Sequence, residues 1–231
     1  MKVAGLLKTS LIDYPDKIVS IIFTQGCNFR CPYCHNPALL PAESVEGEYL
    51  TLPVLLDFLQ KRKGLIDGLS ITGGEPTLQP DLKDWIIAVK ELGLLVKLDS
   101  NGSKPEIISD LIEQQLLDYL ALDLKLPLNL YWLLTDHTDI ATKIKKSINL
   151  VKESGIEYEF RTTVVPGLHG QAEMMEIGKL INGAKRFYLQ NFKPNNTYQP
   201  AYLSKVPFTV AELEQFKNII KPMVNEIKIR Y

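Results

Sequence analysis

No cysteine occurs after residue 34 of this 231-residue chain, and the chain has only three. So few thiols, odd in number, exclude a disulfide framework and with it the small secreted scaffold that depends on cross-links. Long apolar runs are absent as well. None approaches the roughly 20 residues of a membrane span, and Met1 to Lys8 is too briefly apolar for a signal peptide. A cytoplasmic protein without a membrane partner is expected. Surplus charge is missing: 26 basic residues face 27 acidic ones, a net charge of -1, which leaves no electrostatic footprint for a nucleic-acid partner. Neither a G-x-G-x-x-G fingerprint nor a P-loop is present.

What is there is an ordinary globular composition, 45% apolar, enough to bury a full core. Runs rich in Ile, Val and Phe alternate with segments of helical period, the order expected of β/α units on a parallel sheet. Strands are expected near Ile18 to Thr24, Gly68 to Thr72, Leu94 to Asp99, Tyr119 to Asp123, Glu157 to Val165 and Arg186 to Asn191. Helices fall between them. Thr51 is a candidate N-cap, and Gly93, Gly155 and Gly183 each stand where a helix would stop. This is an α/β pattern, read as one domain over 1–231 with its core at about 18–193 and a C-terminal helix and tail at about 207–231. Two long loops, Asn36 to Tyr49 and Leu126 to Asp136, follow strands and would lie on the catalytic rim of a barrel.

The three thiols share one short stretch, Cys27-Asn28-Phe29-Arg30-Cys31-Pro32-Tyr33-Cys34. A C-x3-C-x2-C loop lets three thiolates converge on one inorganic centre while its fourth corner has no cysteine ligand. Soft thiolates suit zinc or an iron-sulfur cluster. His35 would complete a zinc site poorly, because it adjoins Cys34 directly. Structural zinc and inert buried thiols remain the alternatives at this level.

Further unusual residues come directly after expected strands: Gly73-Gly74-Glu75, Asp99-Ser100-Asn101-Gly102, Asp123-Leu124-Lys125 and Pro166-Gly167. Chance would scatter them, whereas barrel active sites collect at strand ends. Gly73 and Gly74 lack Cβ atoms and would let a ligand approach the backbone. Glu75 offers two acceptor oxygens suited to an ammonium group. Asp99 and Ser100 can hold hydroxyls or donate to a carboxylate. Asp123 and Lys125 project on one side of a strand end, since alternate residues share a face. Each also has a bland reading as a turn, a cap or a solvated ion pair. His137 and His169 carry no motif and are read as surface or capping residues.

The segment from Phe23 to Asn36 resembles the cluster loop of radical S-adenosylmethionine (SAM) enzymes. The resemblance implies a partial, open TIM-like (β/α)6 barrel, with Cys27, Cys31 and Cys34 binding one 4Fe-4S cluster whose fourth iron SAM chelates. It places Tyr33 at the aromatic position whose backbone meets the adenine. By the same likeness Gly73, Gly74 and Glu75 bind the amino group of SAM. Asp99 and Ser100 bind SAM and a monovalent cation, Asp123 the cation, and Lys125 the SAM carboxylate. Arg161 stands near substrate and SAM, and Val165 packs on the adenine. The implied catalytic set is Cys27, Cys31, Cys34, Lys125 and Arg161. One electron from a flavodoxin or ferredoxin would cleave the sulfonium C5'–S bond, giving methionine and a 5'-deoxyadenosyl radical that abstracts hydrogen.

Within that superfamily the likeness runs from Gly5 to about Lys193 and is closest to activating proteins of anaerobic ribonucleoside-triphosphate reductase and related glycyl radical enzymes. The substrate implied is a glycine Cα–H on a partner protein. Two departures bear on the partner: Asp13-Tyr14-Pro15-Asp16 stands where pyruvate formate-lyase activases carry D-G-P-G, and extra ferredoxin-like cysteines are absent. The competing readings are a radical SAM enzyme acting on a small molecule, similar to a deazapurine synthase, and a cysteine-based metal or redox-sensing module.

Overall fold

The computed structural model describes residues 1–44 and 47–230. They fall into two compact units, one made of 1–28, 38–100 and 106–120, the other of 29–37, 101–105 and 121 onward.

In the first unit, strand β1 (Val3–Ser10) pairs antiparallel with β2 (Val19–Thr24). β2 pairs in parallel with β3 (Gly68–Gly73), and β3 with β4 (Leu95–Ser100). Parallel strands need crossover helices, here α1 (Leu52–Lys61) and α2 (Leu82–Glu91). β2 is a nearly continuous apolar run, VSIIFT, because a strand covered on both faces has no solvent side to alternate with. In α2 the buried residues are Leu82, Trp85, Ile86 and Val89, the spacing of one helical face. Each such side chain contributes roughly 1.5–3 kcal/mol by leaving water. Helix α3 (Pro105–Glu113) leads to β5 (Tyr119–Asp123), whose first residues belong to this unit.

The second unit holds the end of β5, then α4 (Ile140–Glu153), β6 (Glu157–Val164), α5 (Gln171–Leu180), β7 (Ala184–Asn191), α6 (Val210–Ile220) and β8 (Val224–Arg230). β6, β7 and β8 pair in parallel and in chain order. Thr209 and Glu212 form a reciprocal capping box on α6, the Thr209 N–H donating to Glu212 Oε2 at 2.8 Å.

All six expected strands are present, displaced by two residues at most. Two further strands were not expected. β1 is half exposed and lacks clean alternation, and β8 forms from the segment read only as tail. Thr51 does stand at the N-cap of α1, but its side chain makes no capping bond, and Pro53 inside the first turn needs no partner for its nitrogen. Gly93 and Gly155, at φ +77° and +75°, end α2 and α4 in the left-handed region. Of the loop Asn36 to Tyr49, residues 45 and 46 lie outside the described residues. The loop Leu126 to Asp136 is ordered by a 3-10 helix over Leu128–Leu133.

Candidate active site

In the first unit, Cys27 and the Gly73-Gly74-Glu75 segment follow the ends of neighbouring parallel strands, with Thr24 in register with Gly73. The cysteine loop leaves β2 through Gly26, and Cys27 N–H donates to the Leu40 carbonyl at 3.2 Å. Gly74 N–H donates to the Thr24 carbonyl and Glu75 N–H to the Gly26 carbonyl, both at 2.8 Å. This contact accounts for the glycines. A Cβ at Gly74 would lie 2.2 Å from the Gly26 carbonyl oxygen, and one at Gly73 would lie 2.3 Å from the Thr24 nitrogen. The chain's own backbone excludes side chains there.

Glu75 is 1% exposed, and its Oε1 accepts from the Thr77 N–H at 3.1 Å, the Thr77 hydroxyl at 2.5 Å and the Ser100 hydroxyl at 2.8 Å. Ser100 therefore connects the end of β4 to the carboxylate beyond β3. Asp99 is ion-paired with Lys97, a residue the sequence did not flag, whose side chain is 1% exposed and whose ammonium lies 6.0 Å from the Tyr119 ring centre. A lysine so buried is affordable only with a carboxylate partner.

The second unit holds Cys31, Cys34, Tyr33, Asp123, Lys125, Arg161 and Val165. The thiols of Cys31 and Cys34 are free of disulfide, as is Cys27. Cys34 N–H donates to the Cys31 carbonyl at 3.0 Å, closing the turn between them. Among the described residues no three His, Cys, Asp or Glu side chains are gathered into a metal cage. His35 is occupied elsewhere: Nε2 sits 2.8 Å from the Lys193 carbonyl, and the ring stacks on Phe192 at 5.8 Å. That accounts for this histidine without a metal.

Asp123 is gripped from both sides, by Arg161 Nε at 2.7 Å on Oδ1 and by Lys125 Nζ at 2.9 Å on Oδ2. Burial alone would raise its carboxyl pKa, but the guanidinium and the ammonium overcome that and hold it well below the ordinary carboxylate range. Lys125 shows the converse. Burial would lower it, yet Asp123 and then Cys31 raise it well above the usual value, so the ammonium is fixed in its charged form. Cys31 is thus near enough to act on the charge of Lys125.

Two aromatic hydroxyls complete this half. Tyr131 accepts the Lys125 backbone N–H at 3.1 Å, and burial raises its pKa. The Tyr33 hydroxyl is buried and has no hydrogen-bond partner among the described residues, and burial again raises its pKa, with Cys31 adding to it. An orphaned buried hydroxyl costs about 1–3 kcal/mol unless something satisfies it.

Sequence reasoning missed His169. Read as a surface or capping residue, it is 5% exposed, accepts the Val165 N–H on Nδ1 at 3.0 Å and contacts the Lys125 carbonyl with Nε2 at 3.0 Å. A backbone N–H can only donate, so Nδ1 is unprotonated and the ring proton sits on Nε2. Burial lowers its pKa to about 4. Its position in the turn between β6 and α5 was the available signal. Val165 itself is fully buried, with its side chain in the core. Glu159 and Arg230, which join Arg161 in an ion-pair chain, carried no signal because their link spans three strands.

With this geometry in view, the comparisons with known proteins identify the class. The family model of the radical SAM superfamily matches residues 21–179, and the chain belongs to that superfamily. A Methanocaldococcus jannaschii protein provisionally named a glycyl-radical enzyme activating enzyme is 35% identical over 99% of this chain and 95% of its own length. The pyruvate formate-lyase-activating enzyme of Clostridium pasteurianum is 29% identical over 78% of this chain and 75% of that enzyme. Among solved structures, Streptococcus suis SuiB bound to S-adenosylmethionine superimposes with a TM-score of 0.68 at 18% identity, over 92% of this chain and 50% of SuiB. The chain thus spans about half the length of that protein, and the likeness shows the fold, the open partial (β/α) barrel of the radical SAM type. No helix among the described residues is long and apolar enough to cross a membrane.

Proposed function

We propose that this radical SAM enzyme holds a 4Fe-4S cluster on Cys27, Cys31 and Cys34, binds SAM beside it, and installs a glycyl radical on a partner protein such as anaerobic ribonucleoside-triphosphate reductase. The observation that carries the reading is the Asp123–Lys125–Arg161 constellation next to Cys31. The superfamily is shared with small-molecule enzymes, but this constellation and the full-length relative named for glycyl-radical activation favour a protein substrate.

The residues present fit the two groups. Three disulfide-free thiols stand four and three residues apart in one stretch of chain, a spacing that suits one cluster. Lys125 uses one of its three N–H donors on Asp123, leaving donors for a ligand carboxylate. The buried Tyr33 hydroxyl lacks a partner that a polar ligand would supply. The oxygen chemistry of Glu75, Asp99 and Ser100 suits a ligand's ammonium and hydroxyl groups, and a monovalent cation is part of the same reading. When bound, the cluster and SAM supply one-electron, hydrogen-abstracting chemistry. The chain's part is to chelate, to fix the ligand carboxylate at Lys125, and to keep water away from the reacting atoms. With no further cysteine to carry electrons internally, the electron comes from an external flavodoxin or ferredoxin.

The test is to incubate the anaerobically reconstituted protein with SAM, a reductant and a glycyl radical enzyme from the same source. A glycyl radical doublet in the electron paramagnetic resonance spectrum supports the proposal. SAM turnover that converts a small metabolite and leaves no protein radical contradicts it.

A further inference from the structure

Lys125, Asp123 and Arg161 are the near end of a longer chain of charges. Arg161 Nη1 lies 3.9 Å from Oε1 of Glu159 on the same face of β6. Glu159 is fully buried and accepts a two-pronged bond from Arg230 of β8, 3.1 Å on each oxygen. Arg230 reaches across the intervening strand, its guanidinium 3.8 Å from the centre of the Tyr188 ring on β7. The order Lys125, Asp123, Arg161, Glu159, Arg230 alternates in sign and sums to one positive charge.

A carboxylate as deeply buried as Glu159 is costly unless paired. A stable core could have been built from apolar residues of similar size, so stability alone does not explain the arrangement. Its geometric consequence is specific. Arg161 stands between two carboxylates, Asp123 and Glu159, and which one it favours depends on whether Arg230 already satisfies Glu159. With Arg230 in place, the close bond goes to Asp123. Without it, Glu159 becomes the stronger attractor and draws the guanidinium away from Asp123 and Lys125.

We propose that Glu159 and Arg230 are positioning residues that aim Arg161 at Asp123, so that the C-terminal strand β8 sets the geometry of the carboxylate-binding end of the site. The consequence for SAM rests on the function proposed above; the consequence for Arg161 does not. The experiment compares wild type with Arg230→Met, Arg230→Lys and the double variant Glu159→Gln/Arg230→Met. The Arg161 Nε–H resonance is followed in the free protein, and SAM affinity is measured calorimetrically on the reconstituted holoenzyme. Arg230→Met is expected to shift the Arg161 resonance and weaken SAM binding about tenfold, the scale of one charge-assisted hydrogen bond. Arg230→Lys, which keeps charge but not the fork, should recover part of both and remains informative if the methionine variant does not fold. The double variant should restore the Arg161 resonance toward wild type, because the competing carboxylate is gone. An unmoved Arg161 resonance in both single variants overturns the proposal, as does a lowered melting temperature with unchanged SAM affinity. A wild-type protein that binds no SAM would refute the proposed function, while the Arg161 resonance would still decide this inference.

Discussion

His169 donates its Nε2 proton to the backbone carbonyl of Lys125 at 3.0 Å, tying the turn after β6 to the residue that ends the β5 constellation. The other ring nitrogen accepts from Val165, so protonation at Nδ1 would break one of the two bonds. With a folded-state pKa of about 4 against the ordinary 6.5, the unfolded chain binds the extra proton first. Stability from this group is therefore complete above about pH 6.5 and is lost as pH falls toward 4, on the order of 3 kcal/mol across the window. Chemical denaturation of the wild type between pH 7 and 4 should show this slope, and His169→Gln should flatten it.

Asp123 to Asn keeps the shape of the side chain and removes its charge. Lys125 and Arg161 both lose their close carboxylate in a largely buried setting, and a loss on the order of 3 kcal/mol is expected. Restoring one neutral partner with Lys125→Met in the same chain should recover stability but not SAM binding. Thermal melts and calorimetry on the same samples separate the two effects.

Gly74 to Ala places a methyl group 2.2 Å from the Gly26 carbonyl oxygen, a backbone atom that cannot swing aside. We expect a cost of about 1–3 kcal/mol and a displaced start of the cysteine loop. Iron content after reconstitution should fall along with the melting temperature. Alanine at Gly5, which also has no positive φ and whose added Cβ meets nothing closer than 3.5 Å, serves as the control without the clash.

Much of this architecture can be read from the sequence where a residue's role is local. Val19, Ile21 and Ile22 mark β2 because a strand buried on both faces is apolar at most of its positions. Cys27, Cys31 and Cys34 announce one site through their spacing, and Asp123 and Lys125 through theirs. What the sequence hides depends on contacts between distant segments. The packing of Gly73 and Gly74 on the backbone of Thr24 and Gly26 is one such contact. Glu159 and Arg230 look like surface charges in a linear reading, because their pairing arrives through the strand order β6, β7, β8, while Lys97, two residues from its partner Asp99, gives no linear sign of its burial. β8 was hidden for the same reason: it is the added strand beside β7, and its half-exposed alternation is weak.

Cys31→Ala is expected to abolish cluster binding and SAM cleavage while leaving the fold intact. Retained cleavage would contradict the three-thiolate site. Circular dichroism confirms the fold, and iron analysis reads the site.

The most direct measurement is electron paramagnetic resonance on the anaerobically reconstituted, reduced protein, with and without SAM, followed by quantification of deoxyadenosine. The account predicts a reduced 4Fe-4S signal that SAM shifts, with deoxyadenosine formed. A folded, fully reconstituted protein that shows no iron signal and forms no deoxyadenosine would contradict it.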